Sequence, residues 1–169
     1  MTRERGIPSP TGDERPLLEG WLDFHRQTLA AKCAGLDDPR LRTAAVEPSE
    51  LSLLGLVRHM AEMERVWFRK ILAGETLPPL YYSDADRDGE FHPTPDDTWA
   101  EAYTTWQREI EAARRTTGRY GLDDLTTGKD SQGRVYRLRW IYVHMIQEYA
   151  RHNGHADLVR ERIDGATGT

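Results

Sequence analysis

The chain has 169 residues, of which 38% are hydrophobic and 30% charged, and it carries a formal net charge of −5. This length supports one domain with a real core and is short for two. The negative charge gives nucleic acid no general attraction, and no apolar run reaches the ~18 residues that a membrane span requires. The N-terminus lacks a signal-peptide core, so the sequence predicts a cytoplasmic protein without nucleic-acid or membrane partners.

The first predicted element follows a tail. Residues 1–12 are rich in Gly, Pro, Ser and charge without periodicity, which predicts a flexible tail before one domain over residues 13–165. Apolar side chains at helical spacing then predict a first helix from about Glu14 to Ala34. Gly35 follows at the position where glycine commonly ends a helix.

The second and third predicted helices flank a long loop. The second helix begins at Ser49 or Ser52 and ends near Ala73, before a glycine. Residues 75–93 combine prolines, aspartates and a few aromatics, which indicates a surface loop long enough to cover a site. The third helix is predicted to begin at Thr94, with threonine as the cap and Asp97 completing a capping box.

The last predicted helix is the longest. It follows a second loop over residues 118–134 and runs from about Leu138 to Ile163, with Gly165 closing it. Both loops are longer than simple helix connections, and one or both are expected to border a site. Four helices of roughly 20 residues without convincing strands indicate an all-α protein built as a four-helix bundle.

Metal-capable side chains recur at every turn of the last predicted helix. They are His144, Glu148, His152 and His155. On a helical wheel they fall within about 80° of one another, inside an apolar face. Burying a carboxylate with imidazoles is costly unless something pairs them, and a divalent cation would do so. The spacing therefore predicts a metal site inside the bundle.

A further ligand must come from another helix, because one helical face cannot surround an ion. His59 on the second predicted helix points towards the core, and Gly55 one turn earlier leaves space beside it. Glu148 and His152, at i and i+4, can grip one ion together, and His59 would complete the set. Other coordination positions would be open to water or substrate. The alternative is a set of buried side chains held by hydrogen bonds alone.

Three neighbouring residues are candidates for supporting or catalytic roles. His155 is a fourth ligand, a hydrogen-bond donor to a ligand, or a proton carrier. His144 borders the site or orients a ligand. Arg151 lies beside the stripe and either binds an anionic substrate group or pairs with an acid.

Two segments carry a resemblance to a known family. They are Leu53-Leu-Gly-Leu-Val-Arg-His-Met-Ala-Glu-Met-Glu-Arg-Val-Trp67 and Leu138-Arg-Trp-Ile-Tyr-Val-His-Met-Ile-Gln-Glu-Tyr-Ala-Arg-His-Asn-Gly-His-Ala-Asp157. They resemble the DinB/YfiT-like superfamily of metalloenzymes, and within it the mini-circle-protein branch. The resemblance extends over all four predicted helices.

The resemblance implies a fold and a ligand set. The fold is an up-down-down-up four-helix bundle, often a homodimer, with a divalent ion held by one histidine of the second helix and two residues of the last. The usual His-x-x-x-His of the last helix is Glu148-x-x-x-His152 here. This version is similar to mycothiol-dependent maleylpyruvate isomerase, whose zinc ligands correspond to His59, Glu148 and His152. The usual glutamine three residues after the last ligand is His155.

Two functional hypotheses follow. The first is a metal-dependent enzyme, a thiol-dependent transferase or isomerase, in which the ion activates a thiol or water for attack on a small electrophile. Zinc is the first choice of metal, with nickel or iron as alternatives, and mycothiol as cofactor is implied by the resemblance alone. His155 or His144 would move a proton, and Arg151 would steer an anion. The rival is a non-catalytic metal-binding or ligand-binding bundle that forms a dimer.

Overall fold

The computed structural model describes residues 6–168, and all regular elements in that range are helical. The helices are α1 (Glu14–Cys33), α2 (Asp38–Leu41), α3 (Leu53–Glu64) with a π-helical continuation (Arg65–Leu72), a 3₁₀ helix (Gly89–Phe91), α4 (Trp99–Thr117) and α5 (Leu138–Asp164). The all-α prediction is confirmed. Residues 1–5 of the predicted tail lie outside the described residues.

Ion pairs show that α1 and α5 run parallel. Glu14, at the start of α1, pairs with Arg139 at the start of α5, with 3.0 Å between Arg Nη2 and Glu Oε2. Lys32, near the end of α1, pairs with Asp157 in the last third of α5. The first and last long helices therefore point the same way.

The two middle helices also run parallel to each other. Arg58, early in α3, reaches Asp97 just before α4, with 3.0 Å between Nη1 and Oδ2. Arg65, after the end of α3, reaches Glu109 in the middle of α4, with 2.7 Å between Nη2 and Oε1. A parallel pair of consecutive helices needs a long connection, which the segment between α3 and α4 supplies.

Ring contacts fix the direction of α3 against α5. His59 lies against His152, with 4.6 Å between ring centroids, and Trp67 lies against His144, with 4.3 Å. Higher numbers on α3 thus meet lower numbers on α5, so the two helices are antiparallel. This gives the up-down-down-up order, and the expected bundle is confirmed.

The hydrophobic core lies between the four long helices. Side chains from α1, α3, its π-helical continuation, α4 and α5 meet there with at most 1% of their surface exposed, including Leu22, Met60, Phe68, Trp106 and Met145. Full burial of one such side chain contributes about 1.5–3 kcal/mol. Within residues 6–168 no helix has the length and apolar character needed to cross a membrane.

The predicted start of the third helix is wrong. The helix begins at Trp99, and the side chain of Thr98 caps it. Thr94 and Asp97 do bond each other, with 2.6 Å from the Thr94 amide to Asp97 Oδ2. The same carboxylate oxygen accepts Nη1 of Arg58, so this turn ties the loop to α3 before the helix starts.

The second predicted helix starts at the later of its two candidate caps. The side chain of Ser52 accepts the amide of Gly55 at 3.1 Å, and α3 begins at Leu53. The periodic pattern predicted one continuous α-helix to Ala73, but the last two turns are π-helical, at Arg65–Leu72. The short helix α2 has too few residues to give a periodic signal and was not predicted.

Candidate metal centre

Three side chains from two helices converge between α3 and α5. Each of His59, Glu148 and His152 offers one ligand atom, and these atoms all lie within 4.8 Å of one another. Oε2 of Glu148 is 3.9 Å from Nε2 of His59 and 3.6 Å from Nε2 of His152. Both imidazoles therefore present the same ring nitrogen to one carboxylate oxygen, and the convergence expected from the sequence is observed.

The chemistry of this donor set fits a divalent ion. Nε2 of His59 is buried and has no hydrogen-bond partner among residues 6–168, and 3.9 Å to Glu148 is too long for a hydrogen bond. A buried polar atom left in this way costs about 1–3 kcal/mol. Tetrahedral zinc with bonds of about 2.1 Å holds its ligand atoms roughly 3.4 Å apart, close to the spacing of Glu148 Oε2 from the two Nε2 atoms.

The second nitrogen of His59 is bonded to a residue that the sequence did not single out. Nδ1 of His59 lies 3.3 Å from Oε1 of Glu90, which is buried in the 3₁₀ helix. Burial alone raises the pKa of Glu90, but the hydrogen bond from His59 opposes it, and the net pKa lies below its ordinary value. An ionised carboxylate only accepts, so Nδ1 of His59 carries the hydrogen.

His152 is held in its neutral form. Burial, followed by the proximity of His59, His155 and Arg151, lowers the pKa of His152 to about 3. Its Nδ1 lies 3.3 Å from Nδ1 of His155, so one of these two rings donates to the other. The structure thus places His155 beside His152, on the side of the ring away from Glu148.

His144 lies one turn before Glu148 in an aromatic setting. Its ring stacks on Trp140 at 5.0 Å with 10° between the planes, and lies 4.3 Å from the ring of Trp67. Burial lowers the pKa of His144, and Glu148 partly opposes this. Arg151 is exposed and has no ion-pair partner within the described part of the chain.

The loop over residues 75–93 lies against the ring of His59. Phe91 stacks on the ring of His59, with 4.8 Å between centroids and 27° between planes. A Cβ added at Gly55 would lie 3.2 Å from Cα of Phe91. The space that Gly55 leaves beside His59 is therefore filled by the loop, and the helical glycine was the only sequence signal of this approach.

The second loop does not share this role in the contacts observed. Its Thr127 amide donates to the carbonyl of Leu72 at 2.9 Å, and its Gly128 amide donates to that of Ile71 at 2.9 Å. These contacts lie about three turns beyond His59. Of the two loops expected to border the site, the first does so.

An up-down-down-up four-helix bundle with a His–Glu–His cluster between its second and last long helices is the arrangement of a DinB-like protein. A family model described as mycothiol-S-transferase matches residues 17–165, and the chain belongs to this family. No curated protein matched the chain. The resemblance seen in the two sequence segments is thus confirmed at the level of the family.

Proposed function

We propose that this chain is a metal-dependent transferase that joins the thiol of mycothiol to a small electrophile. The observation that carries the proposal is the cluster of His59, Glu148 and His152, whose ligand atoms face one another while Nε2 of His59 lacks a partner among the described residues. Family membership supports the thiol. Zinc is the first candidate ion, with nickel or iron as alternatives, since imidazole and carboxylate ligands suit all three.

A bound divalent ion would supply Lewis acidity, which lowers the pKa of a coordinated thiol and favours the thiolate. The protein has no reactive thiol of its own for this chemistry. Its single cysteine, Cys33, is buried in α1, and burial raises the pKa of that thiol to about 12. The reacting sulfur therefore comes from the cofactor.

The histidine pair assigns a proton position. When Nε2 of His152 gives its lone pair to the ion, Nδ1 of that ring carries the hydrogen and donates to Nδ1 of His155. His155 then holds its own hydrogen on Nε2, and it is a proposed proton carrier in hydrogen-bond contact with a ligand. His144, packed between tryptophans, is the other. Arg151, exposed beside them, is proposed to attract an anionic group of the substrate.

The reaction is a substitution. The thiolate sulfur attacks the electrophilic carbon, a carbon–sulfur bond forms, and the bond to the leaving group breaks. The leaving group departs with the bonding pair, and the thiol proton passes through the protein's bases to solvent. An isomerase would instead add the thiolate to an electrophilic carbon without a leaving group, and would later break the same carbon–sulfur bond to release the thiol.

The test has a metal arm and a transfer arm. Protein purified without chelator or metal-affinity tag is analysed for bound metal, then mixed with mycothiol and a chromogenic aryl chloride. We expect about one ion per chain and a rate that chelation abolishes and zinc restores. Glu148→Gln should lose both, whereas Glu161→Gln, an exposed charge change on the same helix, should keep both. Zinc binding without transfer would favour the non-catalytic hypothesis.

That second hypothesis is a bundle dimer in which the ion or a small ligand has a structural role. One observation favours an interface: α5 leaves large apolar side chains exposed, with Trp140 at 44%, Val143 at 57% and Leu158 at 56%. We propose a homodimer in the cytoplasm under either hypothesis. Val143→Lys should then reduce the mass measured by light scattering to that of a monomer.

A further inference from the structure

We infer that Glu90 is the positioning residue that sets the tautomer of His59. It does so by accepting the Nδ1 hydrogen at 3.3 Å, which leaves the lone pair on Nε2 to face Glu148. Only the affinity arm of this inference rests on the proposed metal centre, because the tautomer exists in the metal-free protein as well. A carboxylate behind a ligating histidine also raises the basicity of the ring.

The backbone around Glu90 is held in place by contacts with α3 and with the rest of its loop. This backbone belongs to a 3₁₀ helix that begins at Gly89, and Nη2 of Arg58 donates to the carbonyl of Gly89 at 2.9 Å. A Cβ at Gly89 would lie 2.5 Å from the carbonyl oxygen of Tyr81, so the segment is closely packed from the other side as well. Arg58 is the direct neighbour of His59 in sequence, so the guanidinium and the imidazole share one anchor on α3.

A second anchor lies one turn further along α3. Oε2 of Glu62 accepts the backbone amides of Leu80 and Tyr81 at 2.7 and 3.1 Å. The loop is thus attached to α3 on both sides of His59. The position of the Glu90 carboxylate follows from these attachments, as expected of a group that orients a ligand.

The hydrogen bond selects between two forms of one ring. A neutral imidazole carries its hydrogen on either nitrogen, and only the form with hydrogen on Nδ1 can offer Nε2 to an ion. Because an ionised carboxylate accepts and never donates, Glu90 stabilises that one of the two neutral forms. Glutamine at the same place presents either an oxygen or an NH₂ group, so it removes the selection while keeping the size.

The experiment compares Glu90→Gln with Asp84→Asn, which removes one negative charge from an exposed position of the same loop. Zinc affinity is measured by competition with a chromophoric chelator. The ring nitrogens of metal-free, ¹⁵N-labelled protein are followed by NMR. We expect Glu90→Gln to bind zinc about 10–100-fold more weakly. We also expect the neutral His59 ring of this variant to be a mixture of the two tautomers, whereas the neutral ring of the parent carries its hydrogen on Nδ1.

His92 gives an internal reference for the NMR arm, since its Nδ1 pairs with Asp86 at 2.9 Å in the same loop and should not change. Glu90→Asp, which keeps the charge but is one methylene shorter, should weaken zinc in the same direction and serves if the glutamine variant does not fold. Unchanged affinity and an unchanged tautomer in Glu90→Gln would overturn the inference. So would an equal loss of affinity in Asp84→Asn, which would indicate charge alone.

Two further outcomes separate this inference from the proposed function. If the parent protein binds no zinc, the metal centre fails, while the tautomer of His59 still decides the role of Glu90. If Co²⁺ in place of zinc shows visible bands that change their pattern in Glu90→Gln, Glu90 is itself a ligand. That result would overturn a positioning role, whereas unchanged bands at weaker affinity would support it.

Discussion

Two polar clusters lie close together in the bundle and differ in how well their hydrogen bonds are satisfied. In the first, Arg26 donates Nε and Nη2 to the two oxygens of Glu64 at 2.8 and 2.7 Å. Tyr149 donates its hydroxyl to Glu64 at 2.7 Å, and the Trp106 indole donates to that hydroxyl at 2.8 Å. The guanidinium, the carboxylate, the hydroxyl and the indole all have protein partners.

The second cluster shares α3 and α5 with the first. His59 lies five residues before Glu64 on α3, and Glu148 and His152 lie one residue before and three residues after Tyr149 on α5. There, Nε2 of His59 and Oε2 of Glu90 are buried without hydrogen-bond partners among residues 6–168. No arginine or lysine pairs with Glu148 in the described residues. A closed network, in which every polar group is hydrogen-bonded, stabilises the core. Buried acceptors that converge without donors, as in this open cluster, fit a cation that the chain does not itself supply.

Breaking the closed network should have the largest effect on stability. Arg26→Met leaves the buried Glu64 carboxylate without its cation and is expected to cost about 3–5 kcal/mol in the free energy of unfolding. Zinc affinity should change little, because none of the three proposed ligands contacts Arg26. Urea unfolding measures the first and chelator competition the second. Arg108→Met, at an exposed site on α4, is the control and should stay within about 0.5 kcal/mol. A loss below about 1 kcal/mol for Arg26→Met would remove the contrast.

The open cluster should respond to metal instead. Zinc at about 100 times its Kd is expected to stabilise the parent protein by about 2.7 kcal/mol, because it binds the folded state. Glu148→Gln weakens that binding and should lose most of the gain, while its metal-free stability changes much less than in Arg26→Met. Thermal unfolding with and without zinc measures both. Equal stabilisation of Glu148→Gln by zinc would mean that the ion binds elsewhere.

The sequence contained enough information for the helices and for the three converging side chains. Glu148 and His152 are at i and i+4 on a long amphipathic stretch, so their common face follows from helical geometry alone. His59 also lies on the core-facing side of its helix, α3. Any bundle that packs α3 on α5 therefore brings His59 near Glu148 and His152. Local periodicity therefore predicted most of the site.

Glu90 could not be predicted in this way. Its place depends on how a loop without periodicity attaches to α3, and that attachment rests on long-range bonds from Arg58 and Glu62. The misplaced start of α4 has a related cause, since Thr94 and Thr98 are both good local caps. Tertiary contacts, which a single sequence does not display, decide between them.

The metal-free protein should lose stability in acid because of the lowered pKa of His152. The pKa of His152 is about 3 in the fold and near 6.5 when unfolded, so the unfolded chain binds a proton that the folded chain refuses. The contribution of this residue to the free energy of unfolding is therefore fully present above about pH 6.5. It falls by up to about 1.4 kcal/mol per pH unit as the pH decreases towards 3. Urea unfolding at pH 6.5, 5.5 and 4.5 measures the slope. His152→Gln should flatten it, and parallel curves for parent and variant would contradict the lowered pKa.

The smallest effect is expected from one methyl group beside the open cluster. In Gly55→Ala, the new Cβ would lie 3.2 Å from Cα of Phe91 and 3.5 Å from the carbonyl oxygen of Glu90. The 3₁₀ helix must then move by a few tenths of an ångström. Alanine favours a helix over glycine by about 1 kcal/mol, so the crowding and the propensity oppose each other and the net change in stability should stay below that value. Zinc affinity should nevertheless fall several-fold, because the shift draws Glu90 away from His59.

Gly154→Ala is the matched control for this substitution. Gly154 also lies within a helix, between His152 and His155, but a Cβ there meets nothing within 4 Å. The control should gain up to about 1 kcal/mol in stability and keep its zinc affinity. If Gly55→Ala gains as much and binds zinc as tightly as the parent, the loop adapts without cost. The close approach of Phe91 to α3 would then have no part in positioning His59.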